Sequence, residues 1–425
     1  MNETQSILHH LENDFIRPVR DPLWKHIYLT PALERTLHLT PFVRLGRLRQ
    51  LGLAVQVYPG ATHTRANHSL GVFHLAKRII QTLVRSPAYP GHLTLEGVQA
   101  FLCAALFHDL GHFPYAHTLE DGLNMPRHEQ LSAQAVLAEP LGPLLRREVG
   151  TDPAFVAAII DHRLTYTTES EQLVFFRRLL SGVLDPDKLD YLNRDAYFCG
   201  VPYGIQDADF IVSQIVPHRE FGIGLSPKGI LSVEHLLFSK YLMYKSVYWH
   251  KGVRSPSAMI KKALHLALKD GVLKSSDLVN EDDVSFAVKM SGMPHRALQK
   301  IPLAEQPGRY ITLWEQAWDE NALFAQRLAT FDEKDATEDE IRREIERQTG
   351  EALDPEDITI DVPHSVSFDV DLPILKEGRA TPFPEAGTVF DKSVVHGFTT
   401  HLKRLRLIGP ERLKGRIRNA QSFFV

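Results

Sequence analysis

Cysteine is nearly absent: Cys103 and Cys199 are the only two in 425 residues. That excludes a disulfide framework and a Cys-only zinc site, and it makes a reducing cytoplasm the expected location. Long apolar runs are missing as well. One of the longest, Ala100 to Phe107, falls far short of the ~20 residues that a membrane span needs, so no membrane contact is expected. The opening MNETQSILHHLENDFIRP lacks the basic-then-apolar order of a secretory signal. No charge of one sign dominates either. The 48 basic and 52 acidic residues leave a net charge of −4, which excludes a globally basic nucleic-acid coat but not a local basic patch. No internal repeat and no low-complexity linker interrupts the chain. What is present is a composition able to bury a core, 44% hydrophobic and 24% charged. Histidine, at 21 residues, is plentiful, which points to metal or proton chemistry.

The length alone suggests two to three domains. The pattern predicts a mostly α unit with short β-hairpins over residues 1–330, then a smaller α+β region over 331–425. Ala66 to Val84 carries apolar residues at 3- and 4-residue steps, as a helix requires. Thr94 is placed to cap a helix running through Ala100 to Leu110, apolar nearly all round and therefore buried. Glu171 to Leu184, Val233 to His250 and Ser257 to Leu273 are further helices. Leu53 to Tyr58 alternates and ends at Pro59-Gly60, which predicts a strand or hairpin arm; Glu220 to Val233 predicts a second hairpin. The charge-dense Asp332 to Arg347 reads as a solvated helix. Asp357 to Leu375 alternates and holds Pro363 and Pro373, which predicts an edge strand. Phe390 to Phe398 fits a short strand or a helix. His401 to Arg418 is strongly basic, an ordinary surface or a contact for nucleic acid.

Chemistry concentrates in four segments: Arg65 to His68; His108-Asp109 with His112 and His117; Arg127-His128-Glu129; and Asp185 to Tyr191 running on to Asp195. His108 and Asp109 end a helix whose preceding turns are apolar. A buried His-Asp pair is costly unless compensated, and a divalent cation compensates it well. The plain alternative is a histidine capping the helix end with Asp109 in a turn. His68 and Asp187 each open a helix, so one ion can gather His68, His108, Asp109 and Asp187 and keep positions open for water and phosphate. Arg65 lies one turn from His68. Lys188, Tyr191 and Asp195 share one helix face, which on its own also fits an ordinary amphipathic surface. Glu120 stands one turn from His117 and can orient its imidazole as a general acid.

These segments, in this order, resemble the HD-domain phosphohydrolases. More closely, Arg49 to Gly52, Tyr58 to Val72, His108 to His117, His128 to Gln130, Asp187 to Tyr191, Arg194-Asp195 and Tyr248 to Lys251 resemble the deoxynucleoside triphosphate triphosphohydrolases. That group includes bacterial dGTPase-type enzymes and the animal enzyme that joins a SAM domain to an HD domain. The resemblance spans roughly residues 35–270, with no SAM domain ahead of it. It implies an HD-type helical core over 1–330 and hydrolysis at the α-phosphate to deoxynucleoside and inorganic triphosphate. His68, His108, Asp109 and Asp187 would bind one divalent ion (Fe, Mn, Zn or Mg), with a further Mg on the triphosphate. Arg65, Lys188 and Lys240 would hold phosphates, and His112, His117 and His128 would surround the α-phosphate. His117, backed by Glu120, would protonate the leaving O5′. Tyr191 and Asp195 would meet the 3′-hydroxyl, Tyr248 would pack under the sugar, and Gln50 and Leu51 would lie beside sugar and base. A homo-oligomer, tetramer or hexamer, and an activating nucleotide are also implied.

There are departures. Gly46 stands where the animal enzyme has a guanine-reading arginine. Glu120 replaces Asp, and Lys240 replaces Arg, which loses bidentate geometry. Two other readings compete. One is an HD hydrolase of nucleoside monophosphates or guanosine polyphosphates. The other is a non-enzymatic nucleotide or nucleic-acid sensor.

Overall fold

The computed structural model describes residues 2–115, 125–166, 171–218, 222–364, 366–368, 370–377 and 379–424. His117 and Glu120 lie outside them. The fold is mostly α, with three small sheets among the described residues. No helix is long and apolar enough to cross a membrane.

The centre is the helix Leu95–Phe107, whose apolar residues point in every direction and are almost all buried. Thr94 caps it, its hydroxyl accepting the Gly97 N–H at 3.1 Å. Burying each of Phe101, Leu102, Leu106 and Phe107 contributes roughly 1.5–3 kcal/mol. The helix stops at Phe107, a turn earlier than its hydrophobicity suggests, with His108 as its C-cap in right-handed helical backbone angles. Arg65–Arg85 packs on one side of it and Pro153–Ile160 on another, and Pro186–Cys199 packs on Arg65–Arg85. Asp185 fixes the start of Pro186–Cys199 by accepting the Lys188 N–H at 2.6 Å, with Pro186 preset in the first turn. The N-terminal hairpin, Arg17–Asp21 with Lys25–Leu29, lies against the Arg65–Arg85 helix.

Leu53 to Tyr58 is not a strand. Gly52–Gln56 is a 3-10 turn, entered through Gly52 at φ +49°. Leu53 and Ala54 are both buried, which alternation cannot achieve, and the segment packs on the helix Lys251–Lys269 rather than on a strand edge. The hairpin signal there reflects a real closure: one bridge, Arg49 to Thr64, brings the two ends of the loop together. The second expected hairpin lies earlier than read, as Ile215–His218 with Gly222–Leu225, and residues from Ile230 onward are helical.

Phe331–Thr349 is a helix as expected, though Ile341 and Ile345 bury one stripe of it. Asp357 to Leu375 is split. Thr359–Asp361 edges a three-stranded antiparallel sheet with Arg404–Pro410 at its centre and Tyr310–Ala317 beyond. Pro373–Lys376 instead joins Gly222–Leu225 and Arg379–Pro382 in a four-stranded sheet. Lys392–Leu402 is helical. The basic C-terminus is not one exposed patch. Arg406 is buried in the central strand near Glu315 and Asp361, and Arg412 and Arg416 pair with Glu351.

Candidate metal centre

Three helix ends converge. His68 sits in the first turn of Arg65–Arg85, His108 follows the last turn of Leu95–Phe107, and Asp187 sits in the first turn of Pro186–Cys199. His68 Nε2 lies 2.8 Å from Asp187 Oδ1 and 4.0 Å from Asp109 Oδ2. His108 Nε2 lies 3.8 Å from Asp187 Oδ1 and 3.4 Å from Asp109 Oδ1. The donor atoms of His68, His108 and Asp187 are all within 4.8 Å of one another, the spread expected of ligands held about 2.0–2.3 Å from one ion.

The tautomers suit this role. The His108 Nδ1–H donates to the Ala105 carbonyl at 3.0 Å, which leaves Nε2 buried and without a hydrogen-bond partner. The His68 Nδ1–H donates to Asp190 Oδ2 at 2.9 Å, which aims Nε2 at the cluster. Burial alone would push the His68 pKa down. Asp187 and Asp190 outweigh it and lift the value to about 10. Burial also opposes charge on Asp109, but His108, Arg65, His112 and His68 hold its carboxyl well below the usual range. Carboxylates on both sides of the His68 ring favour positive charge beside its Nε2, which a proton supplies or a divalent cation would supply in its place.

Asp109 faces a second set of donors. Its Oδ1 is 3.3 Å from His112 Nε2, and the His112 and His128 rings stack at 3.9 Å. Arg65 Nη1 donates to Asp109 Oδ2 at 2.7 Å, while its Nε is buried with no partner.

These groups line one cavity of about 590 Å³, within the range of small-molecule sites. Every site residue predicted from sequence that lies among the described residues also lines it. Besides the metal-type donors these are Gln50, Leu51, Arg65, His112, His128, Lys188, Tyr191, Asp195, Lys240 and Tyr248. Not all point as the phosphate roles would have them. Lys188 Nζ donates to Asp185 Oδ2 at 2.5 Å and to the Gly182 carbonyl at 2.8 Å. Lys240 Nζ donates to the Ser367 carbonyl at 2.7 Å. At the opposite end, the Tyr248 hydroxyl donates to Asp195 Oδ2 at 2.7 Å, and the Tyr191 ring stands edge-on to Tyr248.

Sequence reasoning gave no role to His63. Its Nε2–H donates to Asp195 Oδ1 at 2.8 Å, and its ring stacks on Phe198. The available signal was its place inside the Tyr58 to Val72 segment.

Residues 65–188 match the family model of the HD domain, and residues 207–390 match that of the HD associated region. The stretch 65–188 is thus similar to the HD domain. It opens at Arg65 and closes at Lys188, so it holds all four candidate ligands. An uncharacterized Bacillus subtilis protein, YwfO, is 34% identical over 252 residues, 58% of this chain and 55% of that protein. A Dictyostelium discoideum deoxynucleoside triphosphate triphosphohydrolase, a SAMHD1 homolog, is 28% identical over 302 residues, 68% of this chain and 55% of that one. The chain thus spans about half the length of the curated relatives it matches. The crystal structure of a Bacteroides thetaiotaomicron phosphohydrolase superposes with a TM-score of 0.70 at 23% identity. It covers 93% of this chain and all of that one, a likeness of fold.

Proposed function

We propose that this protein is a metal-dependent phosphohydrolase that cleaves deoxynucleoside triphosphates at the α-phosphate, releasing deoxynucleoside and inorganic triphosphate. One observation carries the reading: two imidazoles and two carboxylates, His68 and Asp109 buried and His108 and Asp187 at the cavity wall, open into the same cavity as His112, His128, Tyr191, Asp195 and Tyr248. A divalent ion, when bound to His68, His108, Asp109 and Asp187, supplies a hydroxide near neutral pH and offsets phosphate charge.

The other residues bind, orient and transfer protons. The stacked His112 and His128 present ring nitrogens toward the α-phosphoryl oxygens, and the Arg65 Nε adds a donor. Lys188 and Lys240 reach the outer phosphates by leaving their present backbone and carboxylate partners. Asp195, held by His63 and Tyr248, accepts the 3′-hydroxyl. The Tyr248 ring forms the floor on which a ribose 2′-hydroxyl would clash, and Gln50 and Leu51 flank the base end. His117, with Glu120 one turn on in sequence, is the proposed proton donor to O5′. The same reading includes a homo-oligomer and an activating nucleotide.

The test is a panel of the four dNTPs and four NTPs with Mn, Mg, Fe or Zn, with and without a second nucleotide, and with the phosphate product identified. Inorganic triphosphate from dNTPs alone is expected. Release of orthophosphate, or equal turnover of ribonucleotides, would overturn the assignment. Turnover only of monophosphates would favour the general HD hydrolase.

A further inference from the structure

Behind His68, away from the cavity, lies a closed polar cluster that the reaction above does not use. Its hub is Asp190, fully buried, with four donors on its two oxygens. Oδ2 accepts His68 Nδ1–H at 2.9 Å and Arg194 Nε at 2.8 Å. Oδ1 accepts Arg194 Nη2 at 2.9 Å and the Trp24 indole N–H at 2.5 Å. Arg194, also fully buried, spends its remaining nitrogen on Asp21 Oδ2 at 2.8 Å. Asp21 Oδ1 accepts the backbone N–H groups of Leu23 and Trp24 at 2.9 and 2.8 Å, which shapes the hairpin turn and sets where the indole lies. The indole then stacks on His74 of the Arg65–Arg85 helix.

Gly71 makes this possible. A Cβ there would stand 1.8 Å from Asp190 Oδ1 and 2.5 Å from Arg194 Nη2, so any side chain would push the hub aside. A plain staple would tie the hairpin down just as well through Arg194 and Asp21 alone. Here the hairpin also reaches the carboxylate that orients a candidate ligand, and it contacts the oxygen opposite His68. Arg194 spans both Asp190 oxygens, and the indole adds a second donor on Oδ1 from a different element, which narrows the rotation of the carboxylate and of the imidazole it holds.

We propose that Asp21 and Trp24 of the N-terminal hairpin are positioning residues of the metal centre, acting through Arg194 and Asp190 on His68. The hairpin lies outside the HD match at residues 65–188, so the centre is completed by a segment that precedes the domain. This inference rests on the metal reading given above.

The test measures Mn²⁺ affinity by calorimetry and the visible spectrum of the Co²⁺ form, using the full chain. Trp24→Phe removes the N–H and keeps a ring on His74; Asp21→Asn removes the charge that Arg194 meets. The control is Asp209→Asn, which breaks an exposed pair with Arg78 on the same helix. Trp24→Phe is expected to weaken Mn²⁺ by roughly tenfold and Asp21→Asn by more. Both should shift the Co²⁺ bands, while Asp209→Asn leaves affinity and spectrum unchanged. Wild-type affinity and spectrum in Trp24→Phe would overturn this inference alone, and that variant decides if Asp21→Asn does not fold. If the unaltered chain binds neither ion, the metal reading fails and this inference falls with it.

Discussion

Around Lys262, each buried charge meets a partner inside the fold. Its Nζ pairs with Asp335 and lies 2.6 Å from Glu338 Oε2, while Glu338 Oε1 accepts the Thr359 hydroxyl and the Ile360 N–H, each at 2.7 Å. Around His68 the same kinds of group are buried, but they do not close on themselves. His108 Nε2 has no hydrogen-bond partner, two carboxylates crowd two imidazoles, and a large cavity opens beside them. Burying charge is expensive in both places. The first cluster offsets that expense by internal pairing and ties the helix Phe331–Thr349 to its sheet. The second leaves part of it for a ligand to offset. A complete cluster is architecture, whereas an incomplete one facing a cavity is a candidate binding site.

Substitutions should separate the two. The largest effect is expected from Asp187→Ala, which should lower turnover at least roughly a thousandfold by removing a ligand while shifting the Tm of the metal-free protein by no more than about 2 °C. A kinetic assay beside a thermal melt checks both. A large fall in Tm would make the His68 cluster architectural and break the comparison.

Glu338→Ala should do the reverse. It leaves buried Lys262 with Asp335 as its carboxylate partner and leaves the Thr359 hydroxyl and Ile360 N–H without their acceptor, at about 2–4 kcal/mol of stability, read by denaturant unfolding, with turnover per folded molecule unchanged. Its pH dependence sharpens the point. Burial pushes the Glu338 carboxyl up, but Lys334 and Lys262 outweigh it and hold it below its ordinary 4.5. The folded value is depressed, so this stability is complete above about pH 4.5 and drains away as pH falls through the lowered value. The gap between wild type and Glu338→Gln should therefore close in acid.

Metal itself gives the next effect. At a hundred times Kd, a bound ion should add ~2.7 kcal/mol to stability. A chelator should remove that increment from the wild type and from Glu338→Ala, but not from Asp187→Ala. The smallest effect is expected at His63. His63→Ala leaves Asp195 with one partner fewer, and should lower kcat/KM for dNTPs by roughly tenfold, about 1.4 kcal/mol, with Mn²⁺ affinity unchanged.

The cavity was largely legible in the sequence. His68, His108, Asp109 and Asp187 lie at helix ends where local pattern, capping and apolar flanks already show where the chain turns, and helical spacing places Tyr191 and Asp195 on one face. What stayed hidden depends on partners far along the chain. Trp24 and Asp190 are 166 residues apart, and no periodicity links them. Asp195 was readable as a candidate site residue, but not that His63 holds it. Leu53 to Tyr58 misled because alternation was taken for a strand when no strand edge lies beside it. Charge counts over the basic C-terminus do not show that Arg406 falls in the central strand of a sheet while Arg412, Lys414, Arg416 and Arg418 are exposed.

The central claim is tested most directly by ³¹P NMR of dGTP turnover on the Mn²⁺-loaded protein, run beside the metal-free protein and Asp187→Ala. Signals of inorganic triphosphate, with neither orthophosphate nor pyrophosphate, are predicted for the loaded wild type alone. Orthophosphate or pyrophosphate as the first product, or undiminished turnover without metal, would contradict the account.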